Sequence, residues 1–207
     1  MIKTVPGWLS EHVIRLPGQR VDESAQLLTA GLALPRDIRP RRPKDLPACA
    51  RLLRVVASEH QYPARWPDAP RSWLAGQDVL DAWVAERQGE ILGHVAVATV
   101  PRNGISQVRW REITGLESTQ LGRVSRLFVR RRVRGQGLAS DLLDVAVRDI
   151  RARGLLPVLD VVSTSTNGIA LVERRGWRLL AMDPWGSKSE HLRVHFYAAP
   201  PPGRHTP

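Results

Sequence analysis

The 207 residues are 43% hydrophobic and 25% charged, the composition of a folded domain, which excludes a chain disordered throughout. The formal net charge is +11, and only Lys3, Lys44 and Lys188 are lysines, so 28 of the 31 basic residues are arginine. This bias suits an anionic ligand or nucleic acid and also matches the coding bias of a GC-rich genome. Cys49 is the single cysteine, which excludes an internal disulfide and a cysteine-rich metal site. No apolar run approaches the roughly 20 residues that span a bilayer, and Met1 to Ser10 has no apolar block of a secretory signal. The expectation is a cytoplasmic protein with no membrane partner and no metal.

Residues 1–35 read as an N-terminal extension, with a short helix from an Asp22 cap to Leu32 that Gly31 and Pro35 break. The main domain is placed at 36–199. Ile38 to Arg41 is a short edge strand, because Pro40 cannot donate to a ladder. Asp45 caps a helix over about 45–60, where Leu46, Ala50, Leu53 and Ala57 recur at helical spacing. Pro63, Pro67 and Pro70 mark a loop, and Ser72 to Ala75 a helical turn. Leu80–Gln88 and Ile91–Val100 form a strand pair around Gly89. The polar stretch 101–120 reads as a loop. Leu121–Arg130 is a strand and Gly137–Arg153 a helix with Leu138, Leu142, Val145, Ala146 and Ile150 on one face. Leu156–Val162 is a buried strand, about 167–175 a helix stopped by Gly176, and about 177–182 and 191–198 the last strands. Residues 200–207 form a proline-rich tail.

Chemistry concentrates between the strand at Leu121 and the helix at Gly137. From Arg123 to Arg134 there are six arginines and no acid, and Gly135 and Gly137 follow. The first N–H groups of a helix have no partner within it and point beyond its end, where the dipole favours an anion. The two glycines let the backbone approach a ligand closely. The reading is a phosphate cradle with Arg134 at its entrance. A tight turn without a ligand is the plain rival. A dinucleotide fingerprint is another, but Ser140 stands where a third glycine belongs.

Arg134-Gly-Gln-Gly-Leu-Ala139 fits Arg-x-x-Gly-x-Gly/Ala. With the opening Ile38-Arg-Pro-Arg-Arg-Pro-Lys-Asp-Leu-Pro47, the pair Ala82-Trp-Val-Ala-Glu-Arg-Gln-Gly-Glu-Ile-Leu-Gly-His-Val-Ala-Val97 and the late Leu171-Val-Glu-Arg-Arg-Gly-Trp177, the chain resembles the GCN5-related N-acetyltransferase (GNAT) family from about Asp37 to Ala198. The resemblance implies an α/β fold: a mixed, mostly antiparallel twisted sheet of six or seven strands, about four helices and a splayed central strand pair. It implies acetyl-coenzyme A as acyl donor, with Arg134, Gly135, Gln136, Gly137, Leu138 and Ala139 holding the pyrophosphate. Leu127, Phe128 and Val129 would bond the pantetheine arm through their backbone, and a backbone N–H there would polarise the thioester carbonyl. Asn167, or Ser165, takes the place of the family's frequent asparagine; an N-cap is the plain role for Asn167.

The implied reaction is direct transfer of an acetyl group to a primary amine of a small molecule or peptide. An alkylamine is mostly protonated near neutrality, so a base is expected. Glu117 and Glu59 are the candidates, with His60 and Ser125 behind them. His94 reads as a core or sheet-edge histidine. The family's usual acid is a tyrosine just before the glutamate of the late motif; here that position is Val172. A thiol with an ordinary pKa near 8.5 can leave without it at modest cost. Tyr62, Trp66, Trp73 and Trp110 are placed around the acceptor, or in plain loop packing. Val172 also fits an acyl-coenzyme A sensor with weak catalysis. The third reading, nucleic-acid binding, ranks behind both because the cofactor already accounts for the densest arginine cluster. A homodimer is compatible with the resemblance.

Overall fold

The computed structural model describes residues 38–60, 62–101, 104–187 and 191–202. The extension at 1–35 with its helix, Asp37, and 203–207 of the tail lie outside the described residues. Seven strands form one sheet: β1 (Ile38–Pro40), β2 (Val79–Arg87), β3 (Glu90–Thr99), β4 (Leu121–Val129), β5 (Leu156–Val162), β6 (Arg178–Trp185) and β7 (Leu192–Ala198), in the order β1-β2-β3-β4-β5-β7-β6. Only β4 and β5 pair parallel; every other neighbouring pair is antiparallel. This is the mixed, mostly antiparallel sheet expected from the sequence. Pro40 lies on the edge strand, where its missing N–H costs no ladder bond.

Helices cover both faces. On one face, α4 (Leu138–Ala152) buries Leu142, Leu143, Val145, Ala146 and Ile150 against Val95, Val97 and Val124, and α5 (Thr166–Arg174) adds Val172. On the other, α1 (Leu46–His60) buries Cys49, Leu52, Leu53 and Val56 against Val84, Ile91 and Phe128, with Leu74 of α2 (Pro70–Leu74) beside them. Each such aliphatic side chain is worth about 1.5–3 kcal/mol of burial. Burial also pushes the Cys49 thiol up to about 11, so it stays a packed, protonated group. Gly122 of β4 is needed for α4 to approach: a Cβ there would lie 2.4 Å from Ile150 Cγ2.

Two expectations need correction. Residues 101–120 are not a loop: Gly104–Thr114 is a helix, α3, followed by a single 3-10 turn at Ser118–Gln120. Its amphipathic signal is weak because little of it is apolar. Trp110 anchors it, buried edge-on against Phe196 with ring centroids 5.0 Å apart, and the Thr114 hydroxyl donates to the Trp110 carbonyl at 2.6 Å. The second is Asp45, which closes a 3-10 turn at Pro43–Asp45; its carboxylate accepts from the Arg42 N–H at 2.7 Å and pairs with Arg39. Arg39 holds this carboxyl down at about 2.

Candidate active site

β4 and β5 pair only over Leu121–Arg123 and Leu156–Val158 and then separate into a fork. A cavity of about 640 Å3 opens between Leu127–Val129, Arg134–Ser140 without Gln136, and Thr164–Gly168. A second, of about 380 Å3, lies deeper in the fork, between Arg123–Leu127, Leu159–Val162, Tyr62–Arg65, Trp73 and Trp185. Tyr62, Leu127, Thr164, Ser165, Gly168 and Leu171 line both. The fork therefore holds two adjoining chambers with a common wall.

At the mouth of the larger chamber, Gly135 and Gly137 have φ of +76° and +85°, the left-handed region that glycine enters without strain. Gly137 is the N-cap of α4 and its carbonyl accepts from the Asp141 N–H at 3.0 Å. Among the described residues, no backbone N–H from Gly135 to Ser140 donates to a protein acceptor. Six consecutive N–H groups at a helix start are thus left without a protein acceptor, the arrangement that receives phosphate oxygens. Arg134 joins them; burial lowers its pKa and Glu59 opposes that. Arg174 of α5 also lines this chamber, without a signal that the sequence reading used.

The arginine cluster is less available than its density suggests. Arg130 and Arg132 both pair with Glu90 of β3. Arg123 bridges Asp78 and Asp160, and Arg126 binds Asp78 at 2.8 Å. Only Arg131 and Arg134 of the six carry no ion pair among the described residues. A charge run that reads as one anion site in sequence is mostly neutralised by acids from distant strands.

β4 is bulged in the fork. His94 of β3 faces Phe128 and Ala96 faces Ser125, so β4 carries one residue more than β3 between those pairs, and Arg126 has φ +52°. Histidine holds this bulge. The His94 Nε2 lies 3.0 Å from Arg41 Nη1, and since a guanidinium only donates, Nε2 accepts. The ring proton is then on Nδ1, which donates to the Arg126 carbonyl at 2.8 Å. The ring is fully buried and stacks on Phe128 at 5.1 Å, and burial lowers its pKa to about 3. Arg41 also donates to the Leu74 carbonyl and Arg126 to the Trp73 carbonyl, at 2.7 and 2.8 Å. The bulge and the α2 wall of the smaller chamber are thereby one hydrogen-bonded unit.

The sequence candidates separate accordingly. Leu127, Phe128, Val129, Arg134, Gly135, Gly137, Leu138, Ala139, Asn167 and Glu59 all line the larger chamber; Gln136 does not, and its amide donates to the Arg132 carbonyl at 3.4 Å. Asn167 is not an N-cap, because Ser165 occupies that position. Glu59 lines the larger chamber with Arg134, not the smaller one. Glu117 lines neither chamber: it pairs with Arg111 at 3.1 Å and caps the 3-10 turn before β4. Its place just ahead of β4 in sequence puts it beyond the paired end of the fork. The side chain of His60 lies outside the described residues. Trp110 is core, Trp66 lines neither chamber, Tyr62 lines both and Trp73 lines the smaller one. The carboxylate that lines the smaller chamber is Asp160 of β5.

The fork, the bulged strand and the open helix start agree with the acetyltransferase class that the sequence resemblance implies. The model of the Acetyltransferase (GNAT) family matches residues 48–177, and the chain belongs to that family. A comparison with curated proteins finds no match. Among solved structures, yncA, a putative acetyltransferase from Salmonella typhimurium with its cofactor acetyl-CoA, is 20% identical, with 82% of this chain and 96% of that one covered and a TM-score of 0.59. A ribosomal-protein-alanine N-acetyltransferase from Brucella melitensis is 19% identical over 79% of this chain and 98% of that one, with a TM-score of 0.57. These similarities establish the fold, and acetyl-coenzyme A is the acyl donor of the family. Among the described residues no helix is long and apolar enough to cross a membrane, and no group of His, Cys, Asp or Glu could hold a metal.

Proposed function

We propose that this chain moves an acetyl group from acetyl-coenzyme A to a primary amine of a small molecule or peptide, by direct attack in a ternary complex. The observation that carries this is the β4–β5 fork, bulged at Arg126, with the unpartnered N–H groups of Gly135–Ser140 at one mouth and a separate chamber beside it. In this reading the N–H run and Arg134 bind the pyrophosphate. The splayed backbone of Leu127–Val129 offers hydrogen bonds to the pantetheine arm, and an N–H of the bulge stabilises charge gathering on the carbonyl oxygen. Bound acetyl-coenzyme A supplies the activated acyl group.

The amine arrives from the smaller chamber. Asp160 accepts a hydrogen bond from the ammonium and draws its proton toward water, freeing the lone pair. The C–N bond forms, the C–S bond breaks, and the sulfur leaves with the electron pair. Tyr62 stands at the wall both chambers share, and burial raises its pKa, so it stays a phenol and is placed to protonate the sulfur. It takes over the task that Val172, a core residue, cannot perform. Ammonium and thioester give amide, thiol and one released proton.

The test is twofold. Acetyl-coenzyme A at about 100 times its Kd should stabilise the native chain by about 2.7 kcal/mol in thermal unfolding. An amine panel should then release free thiol. A thermal shift with no turnover on any amine would favour the sensor reading, for which Val172 in place of a proton donor is the supporting observation. No thermal shift would refute both.

A further inference from the structure

The smaller chamber states what kind of amine it takes, provided that the transferase reading holds. Its walls carry three arginines, Arg65, Arg123 and Arg126, against one carboxylate, Asp160. Two of the three are spoken for. Arg126 is clamped by Asp78 through contacts of 2.8, 3.1 and 3.2 Å. Arg123 spans Asp78 at 3.2 Å and Asp160 at 3.3 Å. Arg65 differs: its guanidinium lies over the Trp185 ring, 4.9 Å from the centroid, and has no carboxylate partner among the described residues. The Trp185 ring holds the exposed guanidinium at the chamber rim, and a free arginine there is suited to pair with a carboxylate.

We propose that the acceptor is a free amino acid with an apolar or aromatic side chain, its carboxylate bound by Arg65 and its amine directed to Asp160. Three features select this class. With Arg126 and Arg123 neutralised, the chamber holds one surplus positive charge, so a polyamine or other polycation would enter against repulsion and an anion-bearing amine with attraction. Tyr62, Trp73 and Trp185 supply flat apolar walls for the remaining body. The volume of about 380 Å3 is at the low end of small-molecule pockets, about 300–1,000 Å3, which fits a molecule of amino-acid size. Asp160, already shared with Arg123, then serves the amine as the hydrogen-bond acceptor that takes its N–H before attack.

The experiment measures acetyl-coenzyme A-dependent thiol release with the twenty amino acids, each beside its own carboxamide, which keeps the amine and side chain and removes the negative charge. The expected result is at least one apolar or aromatic acid exceeding its amide tenfold or more in kcat/KM, chiefly through KM. Arg65→Gln should bring that ratio close to one, and Arg65→Lys should recover part of it. Amides used as well as acids, or a preference that survives Arg65→Gln, would overturn the proposal. So would turnover confined to amines that are not amino acids. If acetyl-coenzyme A raises Tm but no amino acid is acetylated, the substrate class is wrong and the cofactor site stands. If acetyl-coenzyme A gives no shift, the transferase reading itself has failed.

Discussion

Protonating His94 should unfold the bulge that the reaction depends on. The imidazole is enclosed by β3, β4, the segment after β1 and Phe128, and the charged groups facing it are the guanidinium of Arg41 and, through its main chain, Arg126; Asp78 lies beyond Arg126. A second proton would sit on Nε2, which already accepts from Arg41. Burial therefore lowers the pKa from 6.5 to about 3. The fold binds fewer protons than the unfolded chain between these values, so stability is full above pH 6.5 and falls as pH drops toward 3. At 1.36 kcal/mol per unit, the loss from pH 6.5 to 5 is about 2 kcal/mol. Urea unfolding at pH 7 and pH 5 measures it directly, with His94→Asn as the reference. Its amide nitrogen can still donate to the Arg126 carbonyl but does not titrate. The difference in unfolding free energy between the two pH values should be smaller in the variant by about 2 kcal/mol. Equal pH dependence in wild type and variant would refute the assignment of a neutral, bulge-holding His94. The Asp45 carboxyl, held at about 2 against an ordinary 3.8, loses its contribution only below pH 4 and does not enter this window.

Other outcomes follow from the same geometry. Arg134→Glu should abolish the thermal shift given by acetyl-coenzyme A while leaving the unliganded Tm within a few degrees, because Arg134 carries no ion pair within 4 Å among the described residues. Gly137→Ala meets no atom within 4 Å of the new Cβ, so its cost is backbone strain alone, about 1–2 kcal/mol of stability, with weaker acetyl-coenzyme A binding by calorimetry. Gly122→Ala, by contrast, drives a methyl into Ile150 and should cost about 1–3 kcal/mol in urea unfolding. Tyr62→Phe should lower kcat with little change in the KM for acetyl-coenzyme A, and Glu117→Gln should leave both constants unchanged.

Most of the framework is legible in the sequence because it rests on short-range signals. The β-compatible runs on either side of Gly89 and the apolar face of α4 state their own structure, and Gly135 and Gly137 announce the helix start. What escaped depends on contacts between distant residues. α3 hangs on Trp110 meeting Phe196, 86 positions away, which no local period reveals. The arginine run looked uniformly open because Glu90, Asp78 and Asp160 are remote in sequence and adjacent only once the sheet forms. For the same reason Asp160, 37 positions from Arg123 in the chain, meets β4 only in space. His94 sits in an apolar strand and differs from its neighbours only through Arg41 and the bulge it braces.

The wall shared by the two chambers makes them thermodynamically one system. Tyr62, Leu127, Thr164, Ser165, Gly168 and Leu171 face both. Whatever free energy the first ligand spends on setting these six residues is not spent again by the second, so each ligand must alter the other's affinity by the same factor. In the proposed reaction the fork would link donor and acceptor before any bond is made, with the strand pairing that ends at Arg123 and Val158 as its fixed point.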